Sequence, residues 1–163
     1  MESLQINGWN IYFHPCFTAQ IMQLVTEVAL LQAAQPNDYR KKKPTKLLAA
    51  ITRVVKEVIA ADPLGAQFRH GGTLGDEHKH WFRAKFLQQY RLFYRCNERH
   101  RTLILGWVND EHTLRAYDSK TDAYRVFAKM LAAGHPPDDW EALLKEAEAH
   151  TISLQSDLLA GFR

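Results

Sequence analysis

Apolar and aromatic residues crowd the stretch NGWNIYFHP at residues 7–15, which reads as a first strand closed by its proline. The period then changes. Ile21, Leu24, Val25, Val28 and Leu31 recur at three-and-four spacing, which predicts a helix over residues 18–34 that stops before Pro36. The same spacing returns at Leu47, Leu48, Ile51, Val54, Val55, Val58 and Ile59, so a second helix is expected to end near Asp62 and Pro63. Between them DYRKKKPTK, residues 38–46, is a polar, basic connection that fits either a solvated loop or a phosphate-contacting one.

Residues 63–80 are glycine-rich and irregular. Their GGTLG lacks the lysine and hydroxyl of a phosphate-binding loop, so it reads as a connection. Three strand-like runs follow at 81–87, 90–96 and 102–108, separated by short polar segments as in an antiparallel meander. SKTD at 119–122 has the spacing of a helix start, with Tyr124, Phe127, Ala128 and Leu131 as its apolar face and Gly134 as its end. PPDDWEALL predicts a last helix capped by Asp138, with Glu141 three residues on and Trp140, Leu143 and Leu144 on the buried side. Residues 151–163 are weakly patterned and read as a tail or a partner-binding segment. The result is an α+β chain with one domain over residues 1–150.

Composition narrows the class. With 163 residues, 46% of them hydrophobic, the chain can bury one core. No apolar run is long enough to span a bilayer, and MESLQINGW lacks the pattern of a secretory signal, so no membrane association and a cytoplasmic location are expected. Cys16 and Cys96 read as reduced core thiols. The net charge of +3 is modest but uneven. Residues 79–101 carry seven cations against Glu98 alone, whereas residues 138–163 carry six acids against Lys145 and Arg163. Such asymmetry suits an anionic partner.

The cations fall in WFRAKFLQQYRLFYR, residues 81–95. Strand alternation sends Phe82, Ala84 and Phe86 to one face and Trp81, Arg83 and Lys85 to the other, where Arg91, Phe93 and Arg95 repeat the chemistry. Cations interleaved with aromatics suit RNA, since guanidinium groups grip phosphate and rings stack on bases. The same residues would equally serve a solvated face, or pair with Asp110, Glu111 and the acidic last helix.

HPCF, TKLLAAI, FRHGGTLG, HWFRAKF, YRLFYR, ILGWVNDEHTLRAY and KTDAYRVFAKMLAAGHPPDDW together resemble the YhaV toxins of bacterial toxin-antitoxin systems, within the RelE-like ribonucleases. The resemblance spans residues 7–148. It implies a RelE-like fold, a twisted antiparallel sheet with two N-terminal helices packed on it and two C-terminal helices. It also implies an endoribonuclease that cleaves messenger RNA, either free or only on the ribosome, and is neutralised by an AbrB-like antitoxin through which the complex binds operator DNA. Arg83 and Lys85 match the family's cationic pair before the YRLxY block, Arg91 matches its phosphate-contacting arginine, and Tyr117 its late tyrosine.

Cutting RNA without a metal needs a base for the 2′-hydroxyl, an acid for the leaving 5′-oxygen and cations for the phosphorane anion. The cations expected to do so are Arg83, Lys85 and Arg91. His78, His80, Glu111, His112 and Tyr117 are the candidates for proton transfer, with the His-rich turn also readable as a solvated turn and the NDEH segment as a plain one. Trp81, His80, Arg95 and Arg115 are expected to contact RNA. His78 and His80 lack a carboxylate at convincing local spacing, so no metal and no cofactor are expected. The alternative is a growth inhibitor that binds RNA or another target without cutting it.

Overall fold

The computed structural model describes residues 4–154 and 156–163. Leu4–Ile6 (β1) and Trp9–Phe13 (β2) pair antiparallel across Asn7 and Gly8. Both turn residues have positive φ, 51° and 81°, the backbone a two-residue hairpin demands and Asn-Gly readily adopts. The single strand expected over residues 7–15 is therefore the second arm of a hairpin.

Pro15–Ala34 forms α1, with proline in its first turn and His14 as its cap. The cap is an imidazole: Cys16 N–H donates to His14 Nδ1 at 3.1 Å, while Nε2 faces Glu146 Oε1 at 3.0 Å. Lys43–Arg53 forms α2 and runs on into a wider helical turn over Val54–Ile59.

Phe82–Phe86 (β3), Tyr90–Asn97 (β4) and Thr102–Val108 (β5) form the expected meander, and β2 lies parallel to β5 on its other side. The sheet order is β1-β2-β5-β4-β3, so one of its pairings is parallel. Two helices follow, Ala123–Ala132 (α3) and Trp140–Ser153 (α4), then a short Ser156–Ala160 (α5).

The sheet is covered on both faces. Ile11, Phe13, Leu92, Tyr94, Leu103 and Leu105 pack against Phe17 and Ile21 of α1 and Leu47 and Ile51 of α2. On the other side Trp81, Phe93, Ile104 and Trp107 pack against Tyr124, Phe127 and Leu131 of α3 and Leu143 and Ala147 of α4. Phe127 is central there, stacked on Phe93 at 4.3 Å and on Trp107 at 5.7 Å, with Trp81 edge-on at 5.0 Å. The cationic face expected to stand open is thus roofed by α3 and α4.

Ile104 and Trp107 share this second face although they are three residues apart. The pairing of β4 with β5 shifts register between Phe93 and Tyr94, passing over Gly106. A Cβ there would stand 2.6 Å from Trp81 Cζ3, so Trp81 lies directly over the glycine.

The helix starts differ from expectation by one side chain each. Asp122, not Ser119, caps α3 by accepting from Tyr124 N–H at 3.1 Å. Asp139, not Asp138, caps α4 by accepting from Ala142 N–H at 3.0 Å, which leaves the Asp138 carboxylate for another role. The weakly patterned end of the chain is packed: Thr151 belongs to α4, its hydroxyl oxygen accepting from Phe13 N–H at 2.8 Å, and Leu159 and Phe162 are buried. Cys16 and Cys96 are free and half-buried, and burial pushes both thiols up to about 11. Among the described residues no helix is long and apolar enough to cross a membrane.

Candidate active site

Arg83 of β3 and Arg91 of β4 are only 8% and 7% exposed. Both guanidinium groups donate through Nε to one acceptor, the phenol oxygen of Tyr124 on α3, at 2.9 and 3.2 Å. Their Nη1 atoms donate to carbonyls, that of Arg83 to Gln67 at 2.9 Å and that of Arg91 to Gln88 and Tyr90 at 2.9 and 2.8 Å. Among the described residues every partner of the two side chains is an uncharged oxygen. Burying a charge without an opposing one is costly. Two such charges sharing an acceptor make an arrangement that an incoming anion would stabilise.

Tyr124 also lines a cleft of about 430 Å³, open to solvent, between the 72–75 loop and the 115–125 segment. Arg115 and Tyr117 stand on its rim. The Arg115 guanidinium lies between two rings, 4.0 Å from Tyr117 and 4.7 Å from Tyr124. Its Nη1 donates to Asp122 Oδ1 at 2.8 Å. Burial alone would raise the Asp122 carboxyl, but the hydrogen bonds from Arg115 and from the N–H groups of Ala116 and Tyr124, with the Arg115 charge, hold it below the usual carboxylate range. One carboxylate thereby caps α3, which carries Tyr124, and fixes the arginine beside it. Tyr117 itself is 83% exposed, an aromatic ring at the cleft edge with the Arg115 guanidinium over it.

Lys85 is exposed and stands directly opposite Arg91 across the two strands. Arg83, Lys85 and Arg91 therefore gather on one face, as strand alternation predicted, with Tyr117 and Arg115 nearby through Tyr124. Glu111 and His112 do not join them. They lie exposed on the loop after β5, His112 Nε2 3.6 Å from Glu111 Oε1, and line a separate small hollow with Gln20, Glu27 and Lys43. The base of that loop is set by Asn109, which is 2% exposed and accepts from Arg91 N–H at 2.8 Å.

Burial corrects one expected RNA contact and partly covers a second. Trp81 is fully buried beneath α3, out of reach of a base, and its indole N–H donates to Asp138 Oδ1 at 2.9 Å. Arg95 is half-buried, wedged between the rings of Trp81 and Trp140 at 5.8 and 5.2 Å, and donates to the Asp138 carbonyl at 2.7 Å. His80 stands at the same place, and the carboxylate that its local sequence lacks is supplied from across the fold: Asp138 Oδ1 is 2.8 Å from His80 Nε2 and 3.1 Å from His78 Nδ1.

Tyr124 is the candidate site residue that periodicity hid. Helical spacing marks it as a core position, and its ring does pack on Phe93, but spacing says nothing of where the hydroxyl points. Two arginines on a strand face that α3 was free to cover were the signal that an acceptor had to come from that helix.

A family model described as a toxin with endonuclease activity, of a toxin-antitoxin system, matches residues 11–148. The chain belongs to this family, the YhaV toxins. It is 50% identical over 146 residues to the ribonuclease toxin YhaV of Escherichia coli strain K12, covering 88% of this chain and 95% of the relative, and equally so to the toxin YhaV of Escherichia coli O157:H7. Among solved structures it is similar to the RelBE2 toxin-antitoxin complex of Mycobacterium tuberculosis, with a TM-score of 0.42 and 20% identity over 68% of this chain and 98% of that one. The protein is thus the toxin, with endonuclease activity, of a toxin-antitoxin system.

Proposed function

We propose that this toxin cuts messenger RNA by attack of the 2′-hydroxyl on the adjacent phosphate, with no metal ion in the chemistry. The observation that carries the reading is the pair of buried guanidinium groups, held among the described residues by uncharged oxygens, beside a cleft open to solvent. A phosphate reaching Arg83 and Arg91 replaces neutral acceptors by a charged one and gains charge-assisted hydrogen bonds. As the O2′–P bond forms and the P–O5′ bond breaks, the two cations neutralise the charge that develops on phosphorus-bound oxygens. The 2′-oxygen loses its proton to a base and the departing 5′-oxygen takes one from an acid, leaving a 2′,3′-cyclic phosphate and a 5′-hydroxyl.

Lys85 and Arg115 are assigned to flanking phosphates. Tyr117 is assigned to stacking on a base or to proton transfer, with Glu111 and His112 as the alternative proton carriers from the neighbouring loop. The family resemblance supports the rest of the reading: cutting on the ribosome in the cytoplasm, arrest of translation, and neutralisation by an AbrB-like antitoxin whose complex with the toxin represses its own operon.

The test is incubation of purified toxin with end-labelled messenger RNA, naked in EDTA and ribosome-bound in magnesium buffer, beside Arg83→Ala. Discrete cuts with cyclic-phosphate ends, absent from the variant, are expected. RNA left intact under both conditions by a toxin that still arrests growth would make the cationic face a binding surface instead. Cuts only on ribosomes would keep the reading and fix the ribosome as part of the substrate.

A further inference from the structure

We propose that His78, His80 and Asp138 form a binding site for a divalent transition-metal ion of the zinc class, which clamps the start of α4 to the turn leading into β3. Nothing in the sequence joins these residues. His78 ends a tight turn at Asp76–His78, His80 lies two positions before β3, and Asp138 precedes the cap of α4 about sixty residues later. The fold brings one ligand atom from each within 4.8 Å of the other two. His78 Nδ1 and His80 Nε2 stand 3.1 and 2.8 Å from the same carboxylate oxygen. Ligand atoms on a tetrahedral zinc, with bonds of about 2.0–2.1 Å, are roughly 3.3 Å apart, so the two imidazole–carboxylate separations already lie within a few tenths of an ångström of that spacing, and the two imidazoles, within 4.8 Å of each other, close on the ion by side-chain rotation.

The surroundings are those of a supported site. The Trp81 indole N–H donates to Asp138 Oδ1 at 2.9 Å, which orients the carboxylate. His78 Nε2, the nitrogen that would not ligate, lies 3.7 Å from Glu77 Oε1, close enough for that exposed carboxylate to swing into the outer hydrogen bond that metal-bound imidazoles commonly have. The backbone is pinned on both sides: His70 Nε2 meets the His78 carbonyl at 2.8 Å, and Arg95 donates to the Asp138 carbonyl at 2.7 Å. Without an ion one carboxylate oxygen takes three N–H donors, two of them imidazoles required to present protons. With the ion the imidazoles present lone pairs and only the indole donates to the carboxylate.

Two imidazoles and one carboxylate favour zinc, cobalt or nickel over magnesium or calcium, which take oxygen ligands. A fourth position is left for water, since the side chains of His80 and Asp138 are 36% and 37% exposed. The site is separate from the cleft: Arg95, beside it, is four residues along β4 from Arg91, or about 13 Å. Its role is therefore to hold β3, the strand that carries Arg83 and Lys85, against the roof of the sheet.

The experiment is zinc binding by the full-length toxin, stripped with chelator and dialysed, followed by calorimetry and thermal unfolding. One ion per chain is expected, with Tm raised by about 5–10 °C at zinc near 100 times its Kd and unmoved by magnesium. His80→Ala and Asp138→Asn, both at partly exposed positions, should each weaken zinc at least tenfold and so cut the rise at the same zinc concentration to about half or less, and cobalt should give a four-coordinate visible spectrum only in the wild type. No stoichiometric zinc in the wild type, or equal affinity in folded His80→Ala and Asp138→Asn, would leave the cluster as a hydrogen-bond hub and overturn the proposal.

Discussion

Lys85 and Arg91 face each other directly across β3 and β4, two cations in register on adjacent strands. Arg91 is buried and held by carbonyls and Tyr124, while Lys85 is left exposed. Like charges opposite one another destabilise a sheet, so the pairing reads as a cost accepted for an anionic substrate. Lys85→Glu replaces repulsion by attraction and should stabilise the toxin by about 0.2–1 kcal/mol while lowering RNA cleavage. Urea unfolding alongside a cleavage assay reads both. Wild-type cleavage by a stabilised Lys85→Glu would remove Lys85 from the substrate-binding surface.

Tyr124→Phe keeps the ring that packs on Phe93 but removes the acceptor shared by Arg83 and Arg91. Two buried donors lose their partner, and a destabilisation of about 1–3 kcal/mol is expected. Cleavage should fall as well, because the hydroxyl sets the separation of the two guanidinium groups. A variant as stable as the wild type would mean that the two hydrogen bonds add nothing to the fold.

The two regions offered for proton transfer can be told apart by exchange of single side chains. Tyr117, Glu111 and His112 are all exposed, so substitution should leave Tm within a degree or two. Tyr117→Phe keeps a stacking ring and loses only the hydroxyl. A fall in single-turnover rate with unchanged RNA affinity is the expected signature of proton transfer at Tyr117. Should Tyr117→Phe cut normally while His112→Ala or Glu111→Ala does not, the chemistry lies with the loop after β5.

Much of this was legible in the chain, and the limits have a common cause. The meander, and the face on which Arg83, Lys85, Arg91 and Arg95 lie, follow from period-two alternation, which is local. Alternation cannot say what covers a face. Tyr124, Phe127 and Leu131 show that α3 has an apolar side, yet the same spacing would serve either side of the sheet. The roof, and with it the burial of Trp81 and the wedging of Arg95, therefore came only from the fold. The meeting of Asp138 with His78 and His80 is hidden for the same reason, since each contact spans about sixty residues. Leu4–Ile6 was passed over because three residues are too few to display a period.

Gly106→Ala tests the close approach of Trp81 to β5. Overpacking of this kind costs about 1–3 kcal/mol, and the indole would have to move off the sheet. Trp81→Leu alone should also destabilise, by emptying space and freeing Asp138 of its indole donor. The two together should cost less than their sum, because the leucine leaves room for the alanine methyl. Strict additivity in a double-mutant cycle by urea unfolding would show that the two sites do not compete for space.

His14 makes stability depend on pH through two helices at once. Its Nδ1 accepts from the first turn of α1, and its Nε2 meets Glu146 of α4. Burial lowers its pKa, outweighing Glu146, which pulls it up; His150 and His135 lower it further. The folded pKa thus lies below the unfolded value of about 6.5. The unfolded chain binds the proton first, so the contribution of His14 is whole above that value and is lost as pH falls through the folded pKa. Protonation also occupies the lone pair that caps α1. His14→Asn retains a capping oxygen without the titration. Stability measured from pH 7.5 to 5 should therefore fall more steeply for the wild type than for His14→Asn. Parallel curves would assign the acid sensitivity to other groups.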